Sequence, residues 1–219
     1  MSQIKVGALS LQGDFARHLA CVALAGYEGV EVRSTRALES VDALILPGGE
    51  STTMAHLLRA FSMWEPLRQF VKSRPVWGAC AGAILLAREV TDGSVTSLGA
   101  LDITIARNAY GRQVYSFEDD IRVDDGAEEF TVRGAFIRAP KITRIGPGVE
   151  TLSIHDGEVV LVRQGRILAS TFHTELRDDP RLTRYFIERV ALSDRSSPEA
   201  PAGQRISSTV DSPRRPKRN

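Results

Sequence analysis

Apolar and polar positions along this chain follow two different periods, and the change falls near the middle. In the first half, short apolar runs ending in glycine are followed by stretches with helical spacing. IKVGALSL (4–11) is such a run and closes on Gln12-Gly13, which predicts a strand and a turn. Residues 14–25 then place Phe15, Leu19, Val22 and Ala23 on one helical stripe, with Asp14 in the first turn and Gly26 to end it. VEVRS (30–34) predicts the next strand, and DALILPGGES (42–51) a buried strand running into a glycine turn. Residues 51–61 and 64–72 read as helices. RPVWGACAG is again strand to turn, with AILLARE continuing as helix.

The second half alternates with a period of two. ITIARNAYGRQVYSF (103–117), GAFIRAP (134–140), TLSIHDGE and EVVLVRQGRILASTF (158–172) carry strand and hairpin signals, with a turn at Gln164-Gly165. Residues 179–192 give a last helix with Leu182, Tyr185, Phe186, Arg189 and Val190 on one stripe. Strands alternating with helices predict an α/β fold with a mostly parallel central sheet between helical layers, joined by an antiparallel hairpin region. Such sheets bind ligands at the carboxyl ends of their strands, where the glycine turns at 12–13, 47–49 and 78–82 all fall.

Composition narrows the classes of function. With 219 residues and 42% hydrophobic content the chain can bury one core, assigned here to residues 1–192. From Ser193 the sequence turns to Ser, Pro, Arg and Gly, which predicts a disordered tail over 193–219. A net charge of +1 argues against nucleic acid or anionic membrane as the main partner. No apolar run reaches the roughly 18 residues that span a bilayer, and the N-terminus lacks signal-peptide features. Cys21 and Cys80 fit neither a disulfide framework nor a metal motif, so a reducing cytoplasm suits the chain.

Chemistry concentrates at three strand ends. Gly78-Ala79-Cys80-Ala81-Gly82 has the form G-x-C-x-G, the thiol counterpart of the nucleophile elbow. There the central residue is raised above the sheet, and the Ala81 amide can donate to an oxyanion. A small cysteine buried where helix and strand pack closely fits the pentapeptide as well. Among four histidines, His18 and His56 read as helical residues, His18 partly exposed, and His155 as part of a turn. His173 ends an apolar strand with Glu175 two residues on, so both would face one side of an extended segment. The carboxylate could then orient an imidazole aimed at the thiol. LPGGEST (46–52) offers backbone amides at Gly48-Gly49 beside Glu50 and Ser51. It lacks the phosphate-loop pattern, and it suits an oxyanion and a substrate ammonium.

LPGGEST, GACAG and FHTEL, in this order, resemble the class I (triad) glutamine amidotransferases, a flavodoxin-like fold. LSLQGDFARH, LILPGGESTTM, ARNAYGRQVYSFE and GAFIRAP extend a closer resemblance, from about residue 4 to residue 190, to the glutaminase subunits of pyridoxal 5'-phosphate synthase. The resemblance implies Cys80 as nucleophile, His173 as base and Glu175 as its orienting carboxylate. It implies L-glutamine contacts from Gly49, Glu50, Ser51, Arg107, Ile137 and Arg138, and an oxyanion site at the Gly49 and Ala81 amides. It further implies no metal or cofactor, and a synthase partner in a multi-subunit complex. That partner takes up ammonia to make pyridoxal 5'-phosphate from ribose 5-phosphate and glyceraldehyde 3-phosphate. Two positions depart from the family pattern: Ala79 stands where threonine is usual, and Thr174 where proline is usual. A glutaminase serving another synthase, or a non-catalytic interaction module, are the rival readings.

Overall fold

The computed structural model describes residues 4–107 and 116–192. The proposed tail and the ARNAYGRQVY segment from residue 108 to 115 lie outside the described residues.

The expected α/β architecture is present. Strands β1 (Lys5–Leu9), β2 (Glu28–Val32), β3 (Ala43–Leu46), β4 (Val76–Ala79) and β12 (Ile167–Ser170) are all parallel, in the order β2-β1-β3-β4-β12. On the β12 side the sheet continues antiparallel through β11 (Glu158–Gln164) to β10 (Glu150–His155), giving seven strands. The Gln164-Gly165 hairpin joins β11 to β12 as expected, with Gly165 at φ 55°. A second sheet is formed by β5 (Ala87–Val90), β6 (Leu101–Ala106) and β9 (Lys141–Ile145), and a hairpin by β7 (Phe117–Asp124) and β8 (Glu129–Phe136).

Side chains alternate strictly on the central strands and build a core on each face. Leu44 and Leu46 of β3 pack with Met54, Leu58, Leu85 and Leu86. Ala43 and Ile45 face the other way, toward Trp77, Phe172 and Phe186. Helices α1 (Phe15–Leu24), α3 (Ser51–Ala60), α4 (Trp64–Ser73), α5 (Ala81–Leu86) and α6 (Arg181–Tyr185) fall in the predicted segments, and a short α2 (Thr35–Glu39) is a helix that the sequence pattern does not predict. Among the described residues no helix is long and apolar enough to cross a membrane.

Three local expectations are corrected. AILLARE does not continue as helix: α5 ends at Leu86, and residues 87–90 pair with β6 instead. The buried stripe of α1 is His18, Cys21 and Val22, while Ala23 is exposed, so the helix is rotated from the predicted face. The final helix passes after Tyr185 into a π-helical segment, Phe186–Leu192, with Phe186, Ile187, Val190 and Ala191 buried. Arg189 is exposed and reaches Asp125 at 3.3 Å rather than joining that stripe.

The turn from β4 to α5 is tightly packed. A Cβ on Gly78 would sit 2.5 Å from the Gly82 carbonyl carbon, and one on Gly82 would sit 2.2 Å from the Leu46 carbonyl oxygen. Strand and helix can pack this closely only because both positions lack side chains. The obstacles are backbone atoms, which cannot swing aside. Gly82→Ala is therefore expected to lower the unfolding free energy by about 1–3 kcal/mol, measured by urea denaturation. Unchanged stability would show that α5 can shift.

Candidate active site

Cys80 directly follows β4 and directly precedes α5. Its backbone takes φ 48° and ψ −99°, a left-side conformation that a residue other than glycine adopts only at a cost of about 1–3 kcal/mol. The expected elbow is thus present. The Cys80 N–H is anchored to the Ser170 carbonyl of β12 at 2.8 Å. Ala81 opens α5, so its N–H has no acceptor within its own helix. Cys80 is almost fully buried, with 7% of its surface exposed.

His173 reaches the thiol from the neighbouring strand. Beyond β12 the chain makes an antiparallel bridge to Ala135 of β8, with N–H to carbonyl distances of 2.8 and 2.9 Å. This fixes the histidine backbone. The imidazole shares a recess with the Cys80 thiol on one side, and its Nδ1 lies 2.6 Å from Glu175 Oε1 on the other. Gly48 closes the ring in, since a Cβ there would lie 2.1 Å from His173 Cε1.

The sequence pairs His173 with Glu175 correctly but for a different reason. The two are not neighbours on one extended face. Thr174 turns into the helical region at φ −102° and ψ −25°, and Glu175 opens a 3₁₀ turn, Glu175–Arg177, that carries its carboxylate back under the imidazole. The contact forms with threonine in place of the family's proline. Thr174 and Ala79 are both fully buried.

The electrostatics follow from this enclosure. Burial disfavours the charged imidazole, but the Cys80 thiol and the Glu175 carboxylate beside it outweigh burial and push His173 up to about 10. Burial would raise Glu175, yet His18 and His173 beside it hold its carboxyl well below the usual range.

Beside the thiol lies a cleft of about 140 Å³, lined by Gly49, Glu50, Ser51, Cys80, Ile84, Arg107, Ile137, Arg138 and Pro140. A second recess of about 280 Å³ shares Gly49, Cys80, Ile137 and Arg138 with it and adds His173, Gly13, Asp14, Gly48 and Leu176. The sequence-derived residues Gly49, Glu50, Ser51, Arg107, Ile137 and Arg138 therefore converge on Cys80. Glu50 has more than one task. It caps α3, accepting from the N–H groups of Thr52 at 3.3 Å and Thr53 at 2.7 Å, and it accepts from Arg107 Nη2 at 3.1 Å. Burial works against its charge, but the Thr53 and Thr52 bonds and Arg107 keep its pKa below normal. Arg107, which follows β6, also donates to Ser94 Oγ at 2.5 Å. Ile137 and Arg138 come from the chain just past β8, where Arg138 has φ 48°.

Sequence reasoning missed Ile84 and Pro140 in the lining and misplaced His18. Expected to be partly exposed, His18 is fully buried, with Nε2 3.3 Å from Glu175 Oε1. A histidine facing the same way as Cys21, one turn along α1, was the available signal. His56 is exposed and His155 ends β10 stacked on Phe136, and neither lines the cleft. Among the described residues no group of three or more His, Cys, Asp and Glu side chains is placed to hold a metal ion.

A solved structure described as a glutamine amidotransferase superposes with a TM-score of 0.77 at 48% identity, covering 84% of this chain and 97% of the other. The fold is that of the glutamine amidotransferase class. The chain belongs to the SNO glutamine amidotransferase family, whose model matches residues 8–192. It is 50% identical over 188 residues to a pyridoxal 5'-phosphate synthase subunit PdxT of Desulforudis audaxviator, covering 85% of this chain and 99% of that one. A protein of the same name from Mycobacterium sp. strain JLS is 50% identical over 192 residues, covering 85% and 92%.

Because the folded His173 value lies above the ordinary 6.5, the fold favours the imidazolium. Its contribution to stability is fully present below pH 6.5 and is lost as pH rises through about 10. In Cys80→Ala the imidazole loses one of the partners that raise it and is expected to titrate at lower pH. NMR titration of the His173 ring checks the shift, and an unmoved titration would show that the thiol does not couple to it.

Proposed function

We propose that this chain is a glutaminase that hydrolyses L-glutamine to glutamate and ammonia, and that it serves as the glutaminase subunit of a pyridoxal 5'-phosphate synthase. The observation that carries this reading is the line from Cys80 through His173 to Glu175, opening into a cleft that also presents Glu50 and Arg107. The relatives named PdxT support the choice of synthase.

In this reading Glu50 receives the glutamine ammonium, Arg107 its carboxylate, and Ser51, Ile137 and Arg138 complete the enclosure. The Cys80 thiol passes its proton to His173 and its sulfur attacks the side-chain amide carbon; a C–S bond forms, the C=O π bond opens, and the Gly49 and Ala81 amides hold the resulting tetrahedral oxyanion. His173 gives its proton to the amide nitrogen, the C–N bond breaks, and ammonia leaves a glutamyl thioester. His173 then takes a proton from water, the resulting hydroxide attacks the thioester carbon, and the C–S bond breaks to release glutamate. Glu175 keeps the imidazole oriented and offsets its charge.

Released into neutral water, ammonia becomes ammonium and loses its nucleophilic lone pair. Delivery through a docked synthase subunit avoids that loss. Both described cysteines are free and buried, which suits a reducing compartment such as the cytoplasm.

Two outcomes are expected. Cys80→Ala abolishes glutamine hydrolysis while the chain stays folded and still binds the synthase, whereas Cys21→Ala is nearly silent. Residual glutaminase activity within about tenfold of native would sink the assignment of the thiol.

The second concerns the partner. The oxyanion loop is tied down: the Glu50 N–H donates to Gln12 Oε1 at 3.2 Å, and Gly13 lies against the Gly48 carbonyl. The isolated chain is expected to be a poor glutaminase that turns over faster with saturating synthase, because a partner binding only the reoriented loop shifts its population. Recruiting a state populated at about 1% requires roughly 2.7 kcal/mol. Steady-state kinetics with and without synthase decide it, and equal turnover in both would rule out gating.

A further inference from the structure

We propose that His18 is a positioning residue of this site: its imidazole, set on α1, holds the Glu175 carboxylate in line with His173. The proposal rests on the reading of Cys80, His173 and Glu175 given above.

The side chains of His18 and Glu175 are both fully buried, and His18 Nε2 lies 3.3 Å from Glu175 Oε1. That oxygen is the one 2.6 Å from His173 Nδ1, so the two imidazoles approach the same carboxylate oxygen from opposite elements. Neither ring nitrogen of His18 completes a hydrogen bond to a described group, and the Glu175 carboxylate is the ionic group that Nε2 approaches. An imidazole buried without a polar partner costs about 1–3 kcal/mol, so an apolar side chain would serve packing better at this position. The carboxylate is the polar group that offsets this cost.

The ring is also held in place. It meets Trp77 edge-on, with centroids 5.3 Å apart and planes at 88°. Trp77 is itself fixed by its Nε1–H donating to Ser170 Oγ at 3.1 Å. Nε2 faces the carboxylate, so a proton carried on that nitrogen attracts Glu175 Oε1 across the 3.3 Å gap.

The need for such a holder comes from Glu175 itself. Its Oε2 makes no hydrogen bond to a described group, and the residue opens a 3₁₀ turn of three residues rather than sitting in a strand ladder. Rotation about its terminal bond would carry Oε1 off His173. His18 opposes that rotation from outside the cleft, touching no lining residue's polar atoms but acting through the carboxylate.

Other ionisable groups near this junction do not substitute for it. Cys21 lies on the same buried stripe of α1, and burial together with Glu175, Asp178 and Asp179 pushes its thiol up to about 12, so it stays neutral. Asp178 pairs with Arg17 at 3.8 Å, and Asp179 with Arg181 at 2.7 Å.

The test compares His18→Leu, His18→Asn and His18→Gln in the full chain, assayed with saturating synthase subunit across pH. Glutamine can place a terminal amide donor where Nε2 stands, asparagine is too short, and leucine fills space without a donor. His18→Leu and His18→Asn are expected to lower kcat about 10- to 100-fold, the usual range for an outer partner of a functional histidine, with KM nearly unchanged. His18→Gln restores most of the loss, and the His173 ring titration moves in the leucine variant and returns in the glutamine variant. If leucine does not fold, asparagine against glutamine carries the comparison. Native kcat and an unmoved titration in folded His18→Leu or His18→Asn would overturn the proposal. So would equal losses in all variants that track melting temperature alone. Cys80→Ala run alongside separates the two claims. Activity surviving in it defeats the glutaminase reading, whereas its inactivity beside unaffected His18 variants defeats only the role of His18.

Discussion

Parallel pairing of β12 with β4, in the register that sets Ser170 opposite Ala79, is the constraint on which the site depends. It brings two strand ends to one level, so the elbow residue Cys80 and the chain leading to His173 emerge side by side. Ser170 binds the two ends together. Its carbonyl accepts the Cys80 N–H at 2.8 Å, while its hydroxyl accepts from Trp77 and donates to the Phe172 carbonyl at 3.1 Å. A one-residue slip would turn alternate side chains to the wrong face and part thiol from imidazole. The pairing is protected by burial on both faces, since all four residues of each strand are buried.

Around that pairing the structure encloses a charge. Glu175 is fully buried, and an isolated carboxylate there would be several kcal/mol too costly to keep ionised. It is tolerated because two imidazoles face it and because the bridge between His173 and Ala135 keeps one of them in place. The β7–β8 hairpin thus does two jobs at once. It clamps the histidine backbone, and the residues just past it, Ile137 and Arg138, wall the cleft. An element outside the central sheet is thereby made part of the site.

Much of this was legible in the sequence because the parallel half is written in a simple code. Apolar runs closing on glycine mark strands that end at a turn, and Gly78 with Gly82 marks a close strand-to-helix turn, although the pentapeptide alone does not choose between a nucleophile and a packing cysteine. What was hidden depended on partners far along the chain. Nothing near Arg107 announces Glu50, 57 residues away. The stretch after Leu86 is equally apolar as helix or strand, and only β6 decides it. His18 was misjudged because a polar residue on an amphipathic helix is ordinarily placed facing water. The stripe through Phe15 and Ala23 looked as good as the true one, and in the rotation that α1 takes His18 meets Glu175 and Trp77 beneath it. The pairing of His173 with Glu175 was right although the geometry behind it was not, since a tight turn and an extended strand can both bring residues two apart together.

The backbone of Cys80 carries a consequence for how such a chain can change over generations. A conformation that suits glycine and burdens every other residue means that selection for a sturdier fold and selection for a reactive thiol pull on this codon in opposite directions. A lineage released from making ammonia would gain stability by drifting to glycine at this one position, with the surrounding strands and helices untouched.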